Sequence, residues 1–172
     1  RVYANGYYSD WFAIKSGVAQ GCPASPLLFL VIAEALQVAL KRQASLDGAE
    51  KLNGITIRGI THLISQFADD TTLFLNGIKD IESADKAINL WCDATGMKEN
   101  TSKRVGLAMG ELANSPDLPL NTGIAWVKEN DWTISLGVPI GNNIDHNKFW
   151  DKKLEVLYEK SARWKRLAHA KY

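Results

Sequence analysis

Cysteine is scarce in this chain: 172 residues contain only Cys22 and Cys92. Their spacing supports neither a zinc ribbon nor a disulfide framework. They read as free thiols in a reducing compartment, with a single bridge left open. Histidine is nearly as rare, and His62, His146 and His169 share no ligand spacing and no nucleophile partner. No long hydrophobic run exists. The longest, Leu27 to Ala33, ends at Glu34 and is far too short for a membrane span, and no secretory leader is visible. Charge of one sign is not in excess either: 20 Lys and Arg face 19 Asp and Glu, a net charge of +1. That balance excludes a chain that coats nucleic acid by bulk charge alone. Internal repeats and low-complexity tracts are also missing.

What is present is an ordinary globular composition, 46% hydrophobic and 23% charged, enough for one domain with a real core. The near-neutral sum conceals an asymmetry. Residues 148 to 172 carry eight basic and three acidic side chains, a balance of +5, and the remainder carries twelve and sixteen, a balance of −4. A basic C-terminal segment suits phosphate backbones; a solvated helix face is the plainer account.

Along the chain, Asn5-Gly6 marks a hairpin within residues 1 to 14, followed by a Gly- and Pro-punctuated loop. Ser25-Pro26 reads as a helix start, with Ser25 as cap, for a helix running to about Gln43. Its apolar residues surround it almost completely at first, which predicts burial against a sheet. A short strand is expected from Ile55 to Arg58. Ile81, Ala84, Ile88, Trp91, Cys92 and Thr95 keep helical spacing before the stop at Gly96. Strands are expected at Lys103 to Met109, Ile124 to Val127 and Trp132 to Val138. Glu111 to Gly123 reads as a loop. From Phe149, a stripe of Trp150, Leu154, Leu157, Ser161, Trp164 and Ala168 predicts a final helix whose tryptophans pack rather than stack on bases.

The most informative segment is Phe67-Ala68-Asp69-Asp70, set between two stretches rich in β-branched and aromatic residues. It predicts a tight turn carrying two neighbouring carboxylates. Such acids repel unless a cation or hydrogen bonds offset them, and hard oxygen donors suit a divalent metal. A simple solvated turn is the alternative.

Upstream lies Ser16-Gly17-Val18-Ala19-Gln20-Gly21-Cys22-Pro23-Ala24-Ser25-Pro26-Leu27-Leu28-Phe29. Together with the acid tetrad, this block resembles the reverse transcriptases of non-LTR (LINE-like) retrotransposons. Asn5-Gly6 to Ile14 is similar to the hairpin leading into that block, Gly96 to Lys103 to the family's Gly-x-Lys-x-Asn-x-x-Lys segment, Leu136-Gly137-Val138-Pro139 to the primer-grip turn, and Trp164-Lys165 to a thumb-helix tryptophan.

The resemblance implies an α+β fold: a partial polymerase palm, mainly antiparallel sheet packed on helices, over residues 1 to 142, and a helical thumb start over 143 to 172. It implies RNA-directed DNA polymerisation from deoxynucleoside triphosphates on an RNA template and DNA primer, with two Mg²⁺ ions in the complete enzyme. Asp69 and Asp70 would be the metal-binding and catalytic acids, Asp69 foremost, and Lys103 would neutralise or protonate the departing pyrophosphate. Gln20, Gly21 and Ala68 would line the nucleotide and template pocket. Leu136 and Gly137 would meet the primer, and Lys152, Lys153, Lys160, Arg163, Lys165 and Arg166 the nucleic-acid backbone. The family's further aspartate, on an earlier palm strand, has no counterpart here: Asp10 lies too close to Gly17. The expectation is therefore a portion of a longer polypeptide that supplies fingers and the first acid, inactive in isolation, with no membrane partner. An intracellular location, cytoplasm and nucleus, is expected for such a protein. Ala19 stands where relatives often have Arg, and Ser135 where they often have an aromatic residue. A non-catalytic, nucleic-acid-binding remnant of a retroelement is the alternative.

Overall fold

The computed structural model describes residues 1–13, 17–18, 21–114, 118–119 and 122–169, the side chains of 166–169 excepted. The chain divides into two compact units, Arg1–Met97 and Lys98–Tyr172.

The first unit opens with the predicted hairpin. β1 (Tyr3–Ala4) and β2 (Tyr7–Tyr8) pair antiparallel around Asn5 and Gly6, both at positive φ, as a two-residue turn of this kind requires. The Arg1 guanidinium lies 4.1 Å from the Tyr8 ring centroid and 4.9 Å from that of Trp11.

α1 follows as Ser25–Ala44, with Pro26 in its first turn, where a missing N–H costs nothing. The cap position falls on Ala24, one residue before the expected Ser25, and no side chain caps it. The predicted burial of the early helix is corrected. Leu27, Leu28, Leu30 and Val31 are each more than half exposed, and burial is confined to Leu36 and Leu40 in the second half.

The reason is the position of the core. Leu36 and Leu40 pack with Leu52 and with Ala84 and Ala87 of α2 (Lys79–Thr95). The small alanines admit the leucine knobs closely, and Ile88 and Trp91 complete the contact. The Trp91 indole N–H, half-buried, donates to the Ile32 carbonyl at 2.9 Å, which satisfies the one polar atom of that side chain. α2 ends as expected at Gly96, in the left-handed region at φ 71°, its N–H returning to the Cys92 carbonyl. An exposed ion pair, Lys86 to Glu50 at 2.9 Å, decorates this face. The hydrogen bond lowers the Glu50 carboxyl and raises the Lys86 ammonium from their ordinary values.

Between the helices run two antiparallel hairpins, β3 (Ile55–Ile57) with β4 (Ile60–His62), and β5 (Ile64–Phe67) with β6 (Asp70–Leu73). Ile64 and Leu73 pack against the core cluster.

In the second unit, β7 (Val105–Gly106) and β8 (Ala125–Trp126) pair in parallel. Gly106 has no room for a side chain: a Cβ there would sit 2.7 Å from the Trp126 ring. The strand expected over Lys103 to Met109 shrinks to Val105–Gly106, because Thr101–Lys103 forms a 3-10 turn and Gly110–Asn114 another. The single strand expected over Trp132 to Val138 is a hairpin: β9 (Thr133–Ser135) turns at Leu136 and Gly137, both at positive φ, into β10 (Val138–Ile140).

α3 spans His146–His169. It starts three residues before the expected Phe149, because the Asp145 carboxylate accepts the N–H groups of Asn147 and Lys148 at 3.0 and 3.2 Å. Phe149 is buried, edge-on to Trp132 and Trp150. The expected packing of the tryptophan stripe is not seen. Trp150 is 54%, Leu157 60% and Trp164 73% exposed, because α3 turns a different side, that of Phe149, inward.

The α+β class is as expected. The mainly antiparallel pairing is as expected, but it is divided: among the described residues, the strands form five two-stranded ladders, four antiparallel and β7–β8 parallel. Each is two to four residues long and closed by a short turn or ended by a loop, which leaves little backbone for a further neighbour.

Candidate active site

The acid tetrad folds as a hairpin with a two-residue loop. Phe67 pairs with Asp70 across the ladder, leaving Ala68 and Asp69 as the loop. Ala68 takes φ 51°. Positive φ at the first loop position matches the right-handed twist of the strands, and glycine is the usual residue there. The turn therefore puts Asp69 at the tip and Asp70 at the first position of β6, both exposed to water. Directly paired residues present their side chains to one face, so Asp70 shares a face with Phe67, itself 67% exposed. Adjacent in sequence, the two acids hold different places: Asp69 in the loop and Asp70 in the ladder.

The hairpin is held from its far end. Phe74 N–H donates to the Leu63 carbonyl at 2.8 Å, and Asn76 N–H to the Asn53 carbonyl at 3.0 Å. Asp80, 5% exposed, closes this knot. Its Oδ1 accepts the Asn53 N–H and side-chain amide, both at 3.2 Å, and its Oδ2 accepts the Asn76 N–H at 3.1 Å. Sequence reading missed this residue. An acid in a helix's first turn is read as a partner of the helix dipole, and the signal for more was only its polar neighbourhood in Asn76 and Gly77.

An open cleft of about 480 Å³ adjoins the turn. Phe29, Ala33, Glu34 and Gln37 of α1 face Gln66 and Ala68 of the hairpin across it. None of these but Ala68 was singled out from sequence, because helical spacing alone could not say which side of α1 meets the acid hairpin. At the entry to α1, Gly21 takes φ 86°, and the exposed Cys22 thiol is lowered from its ordinary value by the Ala24 backbone amide and then by Ser25. Gln20 lies outside the described residues.

Two exposed carboxylates are hard oxygen donors and fit a divalent cation in kind. In number they fall short. Among the described residues no group of three or more His, Cys, Asp or Glu could hold a metal ion.

The remaining candidates belong to the second unit. Lys103 ends the 3-10 turn, exposed, its N–H donating to the Asn100 carbonyl at 3.0 Å. The turn is braced by the Arg104–Glu99 ion pair. Leu136 and Gly137 form the exposed tip of the β9–β10 hairpin. Lys152, Lys153, Lys160, Arg163 and Lys165 are exposed along α3, and Arg166 lies on the same helix with its side chain outside the description. The Lys153 ammonium rests 5.5 Å from the Phe149 ring centroid.

With this geometry in view, two comparisons bear on identity. The family model described as "Reverse transcriptase (RNA-dependent DNA polymerase)" matches residues 2–157. The "Transposon TX1 uncharacterized 149 kDa protein" of Xenopus laevis is 28% identical over 116 residues, 66% of this chain and 8% of that protein. The chain thus spans a small part of the relative's length. No solved structure matches it. On the family match, the chain belongs to the reverse transcriptase (RNA-dependent DNA polymerase) family, in agreement with its resemblance to the polymerases of non-LTR retrotransposons.

Proposed function

We propose that this chain is the part of an RNA-directed DNA polymerase that carries the paired acids of nucleotidyl transfer. The observation that supports it most is the β5–β6 hairpin, with Asp69 at the tip of its two-residue loop and Asp70 beside it. Asp69 would be the principal ligand of Mg²⁺ and Asp70 the weaker one. Bound there, divalent ions would supply charge stabilisation to the attacking and leaving oxygens of an in-line displacement at the α-phosphate.

The chain's own residues do the rest. The Asp80 knot ties the exit of β6 to the segment before β3. Gly21 and Ala68, with Gln20, would border the incoming nucleotide and template, and the α1 cleft beside Ala68 gives that pocket a wall. Lys103 would meet the negative charge of departing pyrophosphate. Leu136 and Gly137 would contact the primer, and the α3 cations the nucleic-acid backbone, as the start of a thumb whose boundary falls near 142 and 143. RNA template, DNA primer and deoxynucleoside triphosphates are the substrates. Two carboxylates do not complete a two-metal site, so a further acid comes from elsewhere in a longer polypeptide, and the 172-residue chain alone turns over no substrate.

The test is primer extension by the complete polypeptide. Asp69→Asn should lower extension by roughly a thousandfold, the several kcal/mol of charge stabilisation at such a site, with an unchanged circular dichroism spectrum. Extension at the parent rate would sink the assignment.

A further inference from the structure

On the second unit, the β9–β10 hairpin and the start of α3 enclose a small cleft. Trp132, Ile134, Phe149 and Val156 line it together with Lys152 and Lys153, and its volume is about 180 Å³. One wall is firm: Phe149 is 3% exposed and meets the Trp132 ring edge-on at 5.9 Å. The mouth is open, with Ile134 53% and Val156 44% exposed. Helical geometry puts residues 149, 152, 153, 156, 160 and 163 on one side of α3. Lys160 and Arg163 therefore continue the line of cations beyond the cleft. Asp151 falls on the opposite side, while Glu159 borders the row and Glu155 flanks it three residues from Lys152.

We propose that this cleft takes one unpaired base of a single-stranded nucleic acid, whose phosphates follow Lys152, Lys153, Lys160 and Arg163. The inference rests on the nucleic-acid-binding part of the function proposed above, and it adds a base contact that backbone recognition does not need. Size selects the occupant. An apolar cavity of roughly 150 Å³ holds a benzene ring, whereas pockets for whole small-molecule ligands begin at about 300 Å³. A single ring fits; a nucleoside triphosphate does not. Charge selects further. An apolar side chain would fill the cleft and leave four cations unanswered, while a nucleotide brings a flat ring and an adjoining phosphate. Bases are free to enter only where a strand is unpaired.

Fluorescence anisotropy of the 172-residue chain with two labelled strands of equal length, oligothymidylate and an abasic deoxyribose phosphate chain, tests this. The intact strand should bind about fivefold to a hundredfold more tightly, the range of one stacked base. Val156→Trp, which fills the cleft from a half-exposed position, and Trp132→Ala should each bring the intact strand down to the abasic affinity. Both should leave abasic binding and its salt slope unchanged. Equal affinity for the two strands, or parent-like preference in Val156→Trp, overturns the cleft and spares backbone binding. Failure to bind either strand at low salt overturns the nucleic-acid reading and the cleft with it.

Discussion

Ala68 is where backbone geometry and chemistry meet most closely. A left-handed conformation costs a side-chain-bearing residue about 1–2 kcal/mol, and Ala68 accepts that cost beside Asp69 at φ 51°. Ala68→Val, which adds branching at Cβ, should lower stability by about 1–2 kcal/mol, read as an earlier urea midpoint at unchanged slope. Ala68→Gly should stay within about 1 kcal/mol of the parent, because relief of the turn is offset by the freer unfolded chain. An undisturbed midpoint in the valine variant would mean that the tip does not hold this conformation. That two acids would stand at a turn was legible from the alternation around them. Which residues form the loop was not, since it depends on the pairing of Phe67 with Asp70.

At the scale of elements, the acid hairpin depends on contacts far along the chain. Asp80 joins the segment before β3, the exit of β6 and the start of α2 through three hydrogen bonds, two of them to Asn53 and one to Asn76. Removing a buried acceptor strands its donors, at about 1–3 kcal/mol. Asp80→Ala should therefore destabilise the chain by about 3 kcal/mol, with Asp80→Asn milder because one oxygen remains, both measured by urea unfolding. A loss below about 0.5 kcal/mol would show the knot to be dispensable. The helices themselves were readable from the spacing of Ile81, Ala84, Ile88 and Trp91 and from the stop at Gly96. Burial was not. The apolar start of α1 looked like core, yet Leu27, Leu28, Leu30 and Val31 are open to water while Leu36 and Leu40 form the contact with α2. Hydrophobicity sets which residues gain by burial; the position of Ala84 and Ala87 decides which of them obtain it.

For the whole molecule, the uneven charge has a measurable consequence. The C-terminal segment concentrates positive charge on one helix although the total is only +1. If Lys160, Arg163 and Lys165 each meet a phosphate, replacing all three by Gln should reduce the slope of log affinity against log salt by about 2 for a single strand and somewhat more for a duplex. A slope equal to the parent's would mark them as a solvated face. The family was written in the sequence, because motifs such as Gln20-Gly21 and the Asp69-Asp70 pair stand in a recognisable order, and local signals fixed the turns at Asn5-Gly6 and Gly96. These depend on neighbours along the chain, whose identities a sequence states outright. Tertiary structure alone decided that Asp80 anchors the acid hairpin, that Gln66 and Ala68 face Glu34 across a cleft, and that α3 turns Phe149 inward while Trp150 and Trp164 stay exposed. Each is a choice among faces of similar composition, settled by which side chains distant in sequence arrive to pack against them.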